Sequence, residues 1–108
     1  MCCSTIRVTL NGVVKGEQWD KEGIYQKASG LINNRSYWNQ INGGNALWWD
    51  NITNVWMIGL SSYLGTNRGG IHSAQDSACP TSDNLFKYAD VAIGDFLLAI
   101  NSVSIQCV

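Results

Sequence analysis

Four cysteines bracket this chain. Cys2 and Cys3 open it, Cys107 stands next to the last residue, and Cys79 precedes the only proline. Cysteines at both ends of a short chain read as a disulfide framework that fastens the termini of a small extracellular domain. Four cysteines allow three pairings. A bond between the neighbours Cys2 and Cys3 would close a strained small ring and is set aside. Two pairings stay open: Cys2–Cys107 with Cys3–Cys79, or Cys3–Cys107 with Cys2–Cys79. Strand parity leans weakly to the first. Ile6, Val8 and Leu10 alternate with Arg7 and Thr9, and Cys2 shares the parity of the apolar set. Val103, Ile105 and Cys107 form a matching set at the other end. Terminal strands paired antiparallel would then bring Cys2 and Cys107 together on an inner face. Zinc is a poor fit, with no CxxC pair and one histidine, His72. No metal or cofactor is expected.

The chain of 108 residues is long enough for one module, spanning 1–108. Charged residues make up 14%, against roughly 25% in an average soluble domain, and the net charge is −1. That balance leaves no electrostatic case for nucleic acid or an anionic membrane. No apolar run approaches the roughly 20 residues that span a bilayer, so membrane insertion is not expected. Polarity comes from Asn, Ser, Thr and Gly, a surface common among secreted proteins. A secretory leader would show a basic stretch and then an apolar one of roughly 7–15 residues. Neither is present, and Met1 is read as an initiator ahead of a mature chain beginning at Cys2.

Short extended segments separated by turn chemistry dominate the pattern. Thr5–Leu10 alternates and ends at the turn dipeptide Asn11-Gly12. Lys15–Lys21 is polar and reads as a loop. Gly23–Ala28 is a short strand, and Leu31–Asn34 a turn. Asn42-Gly43-Gly44-Asn45 is the clearest hairpin turn, so Tyr37–Leu60 reads as a three-stranded antiparallel meander. Ser61–Gly70 is a loop, Gly70–Ala74 a short strand, and Gln75–Asn84 a loop pinned by Cys79. Leu85–Ala89 and Phe96–Cys107 complete the sheet. No apolar period of 3.6 persists for three turns, which excludes a long helix. The expected fold is all-β: a compact antiparallel β-sandwich or barrel of short strands with disulfide-linked termini.

The meander carries Trp38, Trp48, Trp49 and Trp56, four of the five tryptophans. Trp48 and Trp49 are adjacent, so in a strand they face opposite sides. Leu47 and Trp49 share one face; Ala46, Trp48 and Asp50 share the other, with small and acidic partners. Trp48 is therefore expected to face outward, while Trp38 and Trp56 suit the core. An indole beside amides and carboxylates suits a sugar, its ring packing on C–H groups while polar neighbours bind hydroxyls. Candidate sugar-binding residues are Trp48, Asp50, Asn45, Asn42, Tyr37 and Trp56, with Arg68 and Tyr63 from the Ser61–Gly70 loop. Turn Asn and Asp more often serve the turn itself. In that loop Gly69 and Gly70 permit close backbone approach.

Catalysis has little support. His72 stands beside Ser73 with Asp76 near in sequence, which says nothing about a triad in space. Nucleophile elbow, HExxH and phosphate-binding glycine loop are all missing, so an enzyme is not expected. Two glycosylation sequons occur, Asn34-Arg35-Ser36 and Asn51-Ile52-Thr53. Either, if used, would place its segment at the surface.

The order of short landmarks carries a resemblance. They are Cys2-Cys3, Ile6-x-Val8, Gly23-Ile24-Tyr25, Asn33-Asn34-Arg35-Ser36-Tyr37 and Ala46-Leu47-Trp48-Trp49. Trp56-Met57-Ile58-Gly59, Gly70-Ile71, Cys79-Pro80 and Val103-x-Ile105-x-Cys107 follow. Together they resemble a cysteine-bracketed, aromatic-rich extracellular repeat of secreted and matrix proteins of marine invertebrates. The resemblance implies a secreted, disulfide-linked β module for recognition or adhesion, lectin-like when it stands as a single copy. Its family-like aromatic and turn positions are Asn34, Tyr37, Trp48, Trp49 and Trp56. Ser36 stands where the pattern has proline. Phe96–Ile100 departs too, with five successive apolar residues that cannot all face one core, which suggests a homo-oligomer contact. The expected function is a secreted, metal-independent lectin whose partners are glycans, with N-acetylated hexoses preferred. The alternatives are a structural or adhesive matrix module binding proteins and, behind it, a toxin or defence protein.

Overall fold

β-Branched and aromatic residues in short alternating runs, cut by Asn and Gly, build a single antiparallel sheet. The structure is a computed structural model and describes residues 2–74, 77–82, 85–90, 94–99 and 102–108. Its strands are β1 (Thr5–Leu10), β2 (Gly23–Ile32), β3 (Arg35–Gln40), β4 (Asn45–Asp50) and β5 (Val55–Leu60). β6 (Ile71–Ser73), β7 (Phe86–Asp90), β8 (Asp95–Ala99) and β9 (Val103–Cys107) follow. The order across the sheet is β8-β7-β6-β5-β4-β3-β2-β1-β9, and the sheet curls into a nearly closed barrel. The fold is all-β, and of the two expected forms it is the barrel.

Alternation decides the faces. Ile6, Val8 and Leu10 of β1 are fully buried, and across the sheet Tyr25, Trp38, Leu47, Trp56, Ile58 and Ile71 join them in one interior core. Val103 and Ile105 arrive from β9, which pairs antiparallel with β1 as the matching parity sets predict. The β3–β4–β5 meander also forms as read, with Trp49 opposite Trp56 and Leu47 opposite Ile58. Asn residues make its turns. Asn33 and Asn34 both have positive φ (53° and 68°), the backbone of a tight two-residue hairpin between β2 and β3. Asn42 and Asn54, both at φ 59°, serve the next two turns.

Several expectations are corrected. β1 ends at Asn11-Gly12 as read, but Lys15–Lys21 is not a loop. The chain turns into a short helix α1 (Gly12–Gln18) and then a single 3-10 turn at Trp19–Lys21. Val14 and Gln18, four apart, share the buried face of α1, and the Gln18 side chain donates to the Ala89 carbonyl at 2.8 Å. A helix this short carries too few apolar positions to show a period. The Leu31–Asn34 turn shrinks to Asn33-Asn34, because β2 runs on to Ile32. Phe96–Cys107 is two strands, β8 and β9, on opposite edges of the sheet.

The bridges are Cys2–Cys79 and Cys3–Cys107, with Cα–Cα distances of 5.6 and 5.9 Å. The favoured pairing of Cys2–Cys107 with Cys3–Cys79 is therefore overturned. Its premise was that β1 parity extends to Cys2. Residues 2–4 lie ahead of the strand, so alternation stops at Thr5. Cys107 stands opposite Ile6, beside the end of β1 at which Cys3 enters, and Cys2 turns instead to the segment before Pro80. The bridges span 77 and 104 residues of sequence, a separation at which a cross-link stabilises by up to about 4–5 kcal/mol in the chain-entropy view. A peptide map made without reduction should yield Cys2–Cys79 and Cys3–Cys107 fragments. Replacing Cys3 and Cys107 together with Ser should cost about 2–5 kcal/mol in denaturant unfolding, with the strand content retained.

Candidate functional site

The tryptophans divide into environments that the strand pattern alone does not distinguish. Trp38 and Trp56 pack edge to face in the interior, ring centroids 5.8 Å apart. Their indole N–H groups donate to the Cys3 and Ser77 carbonyls. Trp49 lies half-buried on the same side, and the Arg35 guanidinium sits 3.9 Å over its ring. Trp48 points away from the interior, as parity predicts. It is not exposed, however: its relative exposure is 0%. A second apolar cluster covers it, made by Ala46, Met57, Ile32, Tyr37, Val55 and Leu64. The loop 61–70 forms the lid, and the Trp48 indole donates to the Thr66 carbonyl at 2.9 Å.

Glycines let that lid lie flat. A Cβ on Gly69 would come within 2.9 Å of the Met57 Cβ, and one on Gly59 within 3.2 Å of the Trp48 ring. Close approach at Gly69 thus serves packing. Asp50 is likewise buried. Its carboxylate accepts from the Ile52 and Thr53 backbone N–H groups and the Thr53 hydroxyl, capping the turn that follows β4. Tyr37 leans on the outer cluster, and Arg68 lies 5.5 Å from the Tyr63 ring within the loop. The structure therefore does not bring Trp48, Asp50, Tyr37, Trp56, Arg68 and Tyr63 together in one accessible site. Asn34 and Asn51 are both exposed in their turns. Ser73 is buried and its hydroxyl accepts from the Trp56 N–H, while the His72 ring packs against Phe96. Asp76 lies outside the described residues.

An accessible concave site forms elsewhere, at the end of the sheet where β3 turns into β4. It is a cleft of about 460 Å3 between the 3-10 turn and the Asn42-Gly43-Gly44 hairpin. Trp19, Asp20 and Glu22 line it from the 3-10 turn and the residues after it, and Gln40, Asn42, Asn45 and Leu60 line it from the strand ends and the hairpin. Trp19 is 70% exposed, far more than any other tryptophan among the described residues. Strand reasoning missed it because it belongs to no strand. A signal was available, since Trp19 sits among Glu17, Gln18, Asp20, Lys21 and Glu22 with no adjacent apolar residue. Asn45 and Asn42, both singled out from the sequence, do line the cleft.

A closed amide array ties these segments together. The Gln40 side-chain NH2 donates to the Asp20 and Glu22 carbonyls at 2.8 and 3.1 Å. Its oxygen accepts from the Asn45 backbone and side chain at 3.2 and 2.9 Å. All four hydrogen-bonding positions of that amide are filled. The Asn45 NH2 also reaches the Asp20 carbonyl at 2.9 Å, so acceptors dictate which end of the amide is nitrogen. That leaves Asn45 Oδ1 as a buried acceptor without a partner, on a residue only 3% exposed. Such an atom is costly in water-free surroundings and is unusual in native structures.

The two carboxylates at the rim are each paired with a lysine. Glu22 accepts from the Leu10 N–H at 2.9 Å and meets Lys15 at 3.3 Å. The backbone hydrogen bond, more than the lysine, holds its carboxyl below the usual range despite partial desolvation. Asp20 meets Lys21 at 3.3 Å. Beneath, Tyr25 donates to the Lys21 carbonyl at 2.7 Å, and burial, with help from Asp20, pushes its phenol well up.

No family model matches this chain, and no curated protein or solved structure matches it either.

The hairpin and the array are coupled at Gly43. A Cβ there would fall 2.1 Å from Gln40 Oε1 and 2.4 Å from its amide carbon. Gly43→Ala should therefore expel an amide held by four hydrogen bonds. The expected loss is about 1–3 kcal/mol in thermal or denaturant unfolding. Amide chemical shifts should move at Asp20 and Asn45 and stay unchanged at β8 and β9.

Proposed function

We propose that this protein binds carbohydrate without a metal, as a lectin, and that the sugar sits in the Trp19 cleft. The carrying observation is an exposed indole that lines one concave site together with amide and carboxylate groups. Its volume, about 460 Å3, lies in the range of small-molecule sites. The apolar face of a pyranose packs on Trp19 and Leu60, and its hydroxyls meet Asp20 and Asn42. An N-acetyl group places its methyl against the indole. Binding is the whole task in this reading, with no turnover. The site departs from the one expected around Trp48, because that indole is spent on packing loop 61–70. Two disulfides fit an oxidising, extracellular setting, in line with the resemblance to secreted invertebrate repeats.

Trp19→Ala should weaken binding to any glycan recognised by the wild type by tenfold or more, about 1.4 kcal/mol. Its melting temperature should hardly change, because a side chain 70% exposed contributes little to the core. Unchanged affinity in this variant, or a glycan array with no hits, sinks the reading.

One observation favours the adhesive alternative, a surface for protein contact. Phe96, Leu97 and Leu98 on edge strand β8 are 41, 38 and 46% exposed, in direct succession. Ile100 of the expected contact lies outside the described residues. An antiparallel edge strand can pair with its own two-fold copy, each offering the same apolar side chains, so a second copy of this chain is the proposed occupant. Self-association would also multiply weak sugar binding through avidity. Light scattering should give a dimer mass that Leu98→Lys returns to monomer. A monomer at high concentration in the wild type removes this contact.

A further inference from the structure

We propose that Asn34 and Asn51 are both N-glycosylated, and that the two glycans stand at the end of the sheet opposite the Trp19 cleft. Neither glycan depends on what the cleft binds. Each asparagine opens an acceptor triplet, Asn34-Arg35-Ser36 and Asn51-Ile52-Thr53. Both are exposed in tight turns. Among the described residues, no hydrogen bond engages either side-chain amide. The contrast is Asn33, whose side chain donates to the Trp49 carbonyl at 2.9 Å and so serves the fold. A sugar on Nδ2 of Asn34 or Asn51 displaces no contact. Each turn also carries an apolar side chain open to water. Leu31, paired with Ser36 of the first triplet, is 63% exposed, and Ile52, inside the second, is 75% exposed. A bulky, solubilising glycan gives each a polar cover.

Topology keeps the two turns together and away from the cleft. β2 and β4 run out at one end of the sheet, where β3 and β5 start. The cleft lies at the other end, where β4 begins with Asn45. The six residues of β4 separate Asn45 from Asn51, roughly 20 Å at the rise of an extended chain. In the transfer, Nδ2 attacks C1 of an oligosaccharide carried on a lipid pyrophosphate. The N–C1 bond forms, Nδ2 gives up one proton, the C1–O bond breaks and the lipid pyrophosphate leaves. That donor belongs to the secretory route, the compartment that the two disulfides also fit. In the folded chain the Thr53 hydroxyl is tied to Asp50, and Ser36 is paired within β3. Transfer therefore precedes closure of the turns, which then hold the glycans outward.

The test is to secrete the full chain from a eukaryotic host and map its peptides after peptide N-glycosidase, which leaves aspartate wherever an asparagine carried a glycan. Aspartate is expected at positions 34 and 51. Asn34→Gln and Asn51→Gln should each remove one glycan from the intact mass, and together both. Strand content should stay unchanged, because neither side chain is buried or bonded. Trp38, Trp48 and Trp56 are buried, so a small soluble quencher reports chiefly on Trp19. It should quench the glycosylated protein and the double variant equally. Should a variant misfold, the wild-type map and quenching before and after enzymatic deglycosylation carry the test. Unmodified asparagine at both positions overturns the inference, and at one position overturns it for that turn. Glycans that shield Trp19 overturn their placement. A glycosylated chain that binds no sugar leaves the two sites standing and sinks only the lectin reading.

Discussion

Antiparallel pairing of the two terminal strands is the constraint on which the rest depends. β1 accepts β2 on one side and β9 on the other, so the chain's end returns to its beginning. A meander of eight strands with the ninth beside the first must curl to bury one face. The Cys3–Cys107 bridge holds the return, and Cys2–Cys79 ties the same corner to the segment before Pro80. Ordering so small a chain is entropically expensive relative to the core it can build, and cross-links act mainly on the unfolded side of that balance.

Curling also gives the sheet two apolar faces with different covers. The interior packs on itself around Trp38 and Trp56. The exterior at β4 and β5 needs a separate lid, which the loop 61–70 provides over Trp48. An adjacent pair such as Trp48-Trp49 requires two burial sites, and this fold supplies both. One lies under the loop, the other under the Arg35 guanidinium. The tryptophan left for the surface is therefore the one outside the strands.

Trp19 reaches its place through a chain of contacts that starts in the core. Val14 buries, Gln18 fastens α1 to β7, and the 3-10 turn carries Trp19 and Asp20 to the mouth of the β3–β4 hairpin. There Gln40 and Asn45 hold the Asp20 backbone. The cleft joins residues that are near in space because β2, β3, β4 and β5 begin or end at the same side of the sheet. Its unpartnered Asn45 oxygen follows from the same crowding, since the rest of that amide is already committed.

Much was legible in the chain itself. Alternation at Ile6, Val8 and Leu10, the Asn-Gly turn at 42–45 and the opposed faces of Trp48 and Trp49 dictate strands, meander and parity, because side-chain direction in a strand is a local property. The all-β class and the joining of the two ends follow from the same local rules and the cysteine positions. Pairing of the cysteines was not legible: alternation ends where the strand ends, and only the β1–β9 register shows where Cys107 falls. Nor was the fate of Trp48 legible, since pointing outward and being exposed differ once a distant loop folds over it. Helix α1 is too short to announce itself, so the sequence could show Trp19 as an isolated aromatic and no more. Tertiary structure alone decided that it lines one site with Asn42, Gln40 and Asn45, because a cleft between segments some twenty residues apart exists only after the sheet has formed.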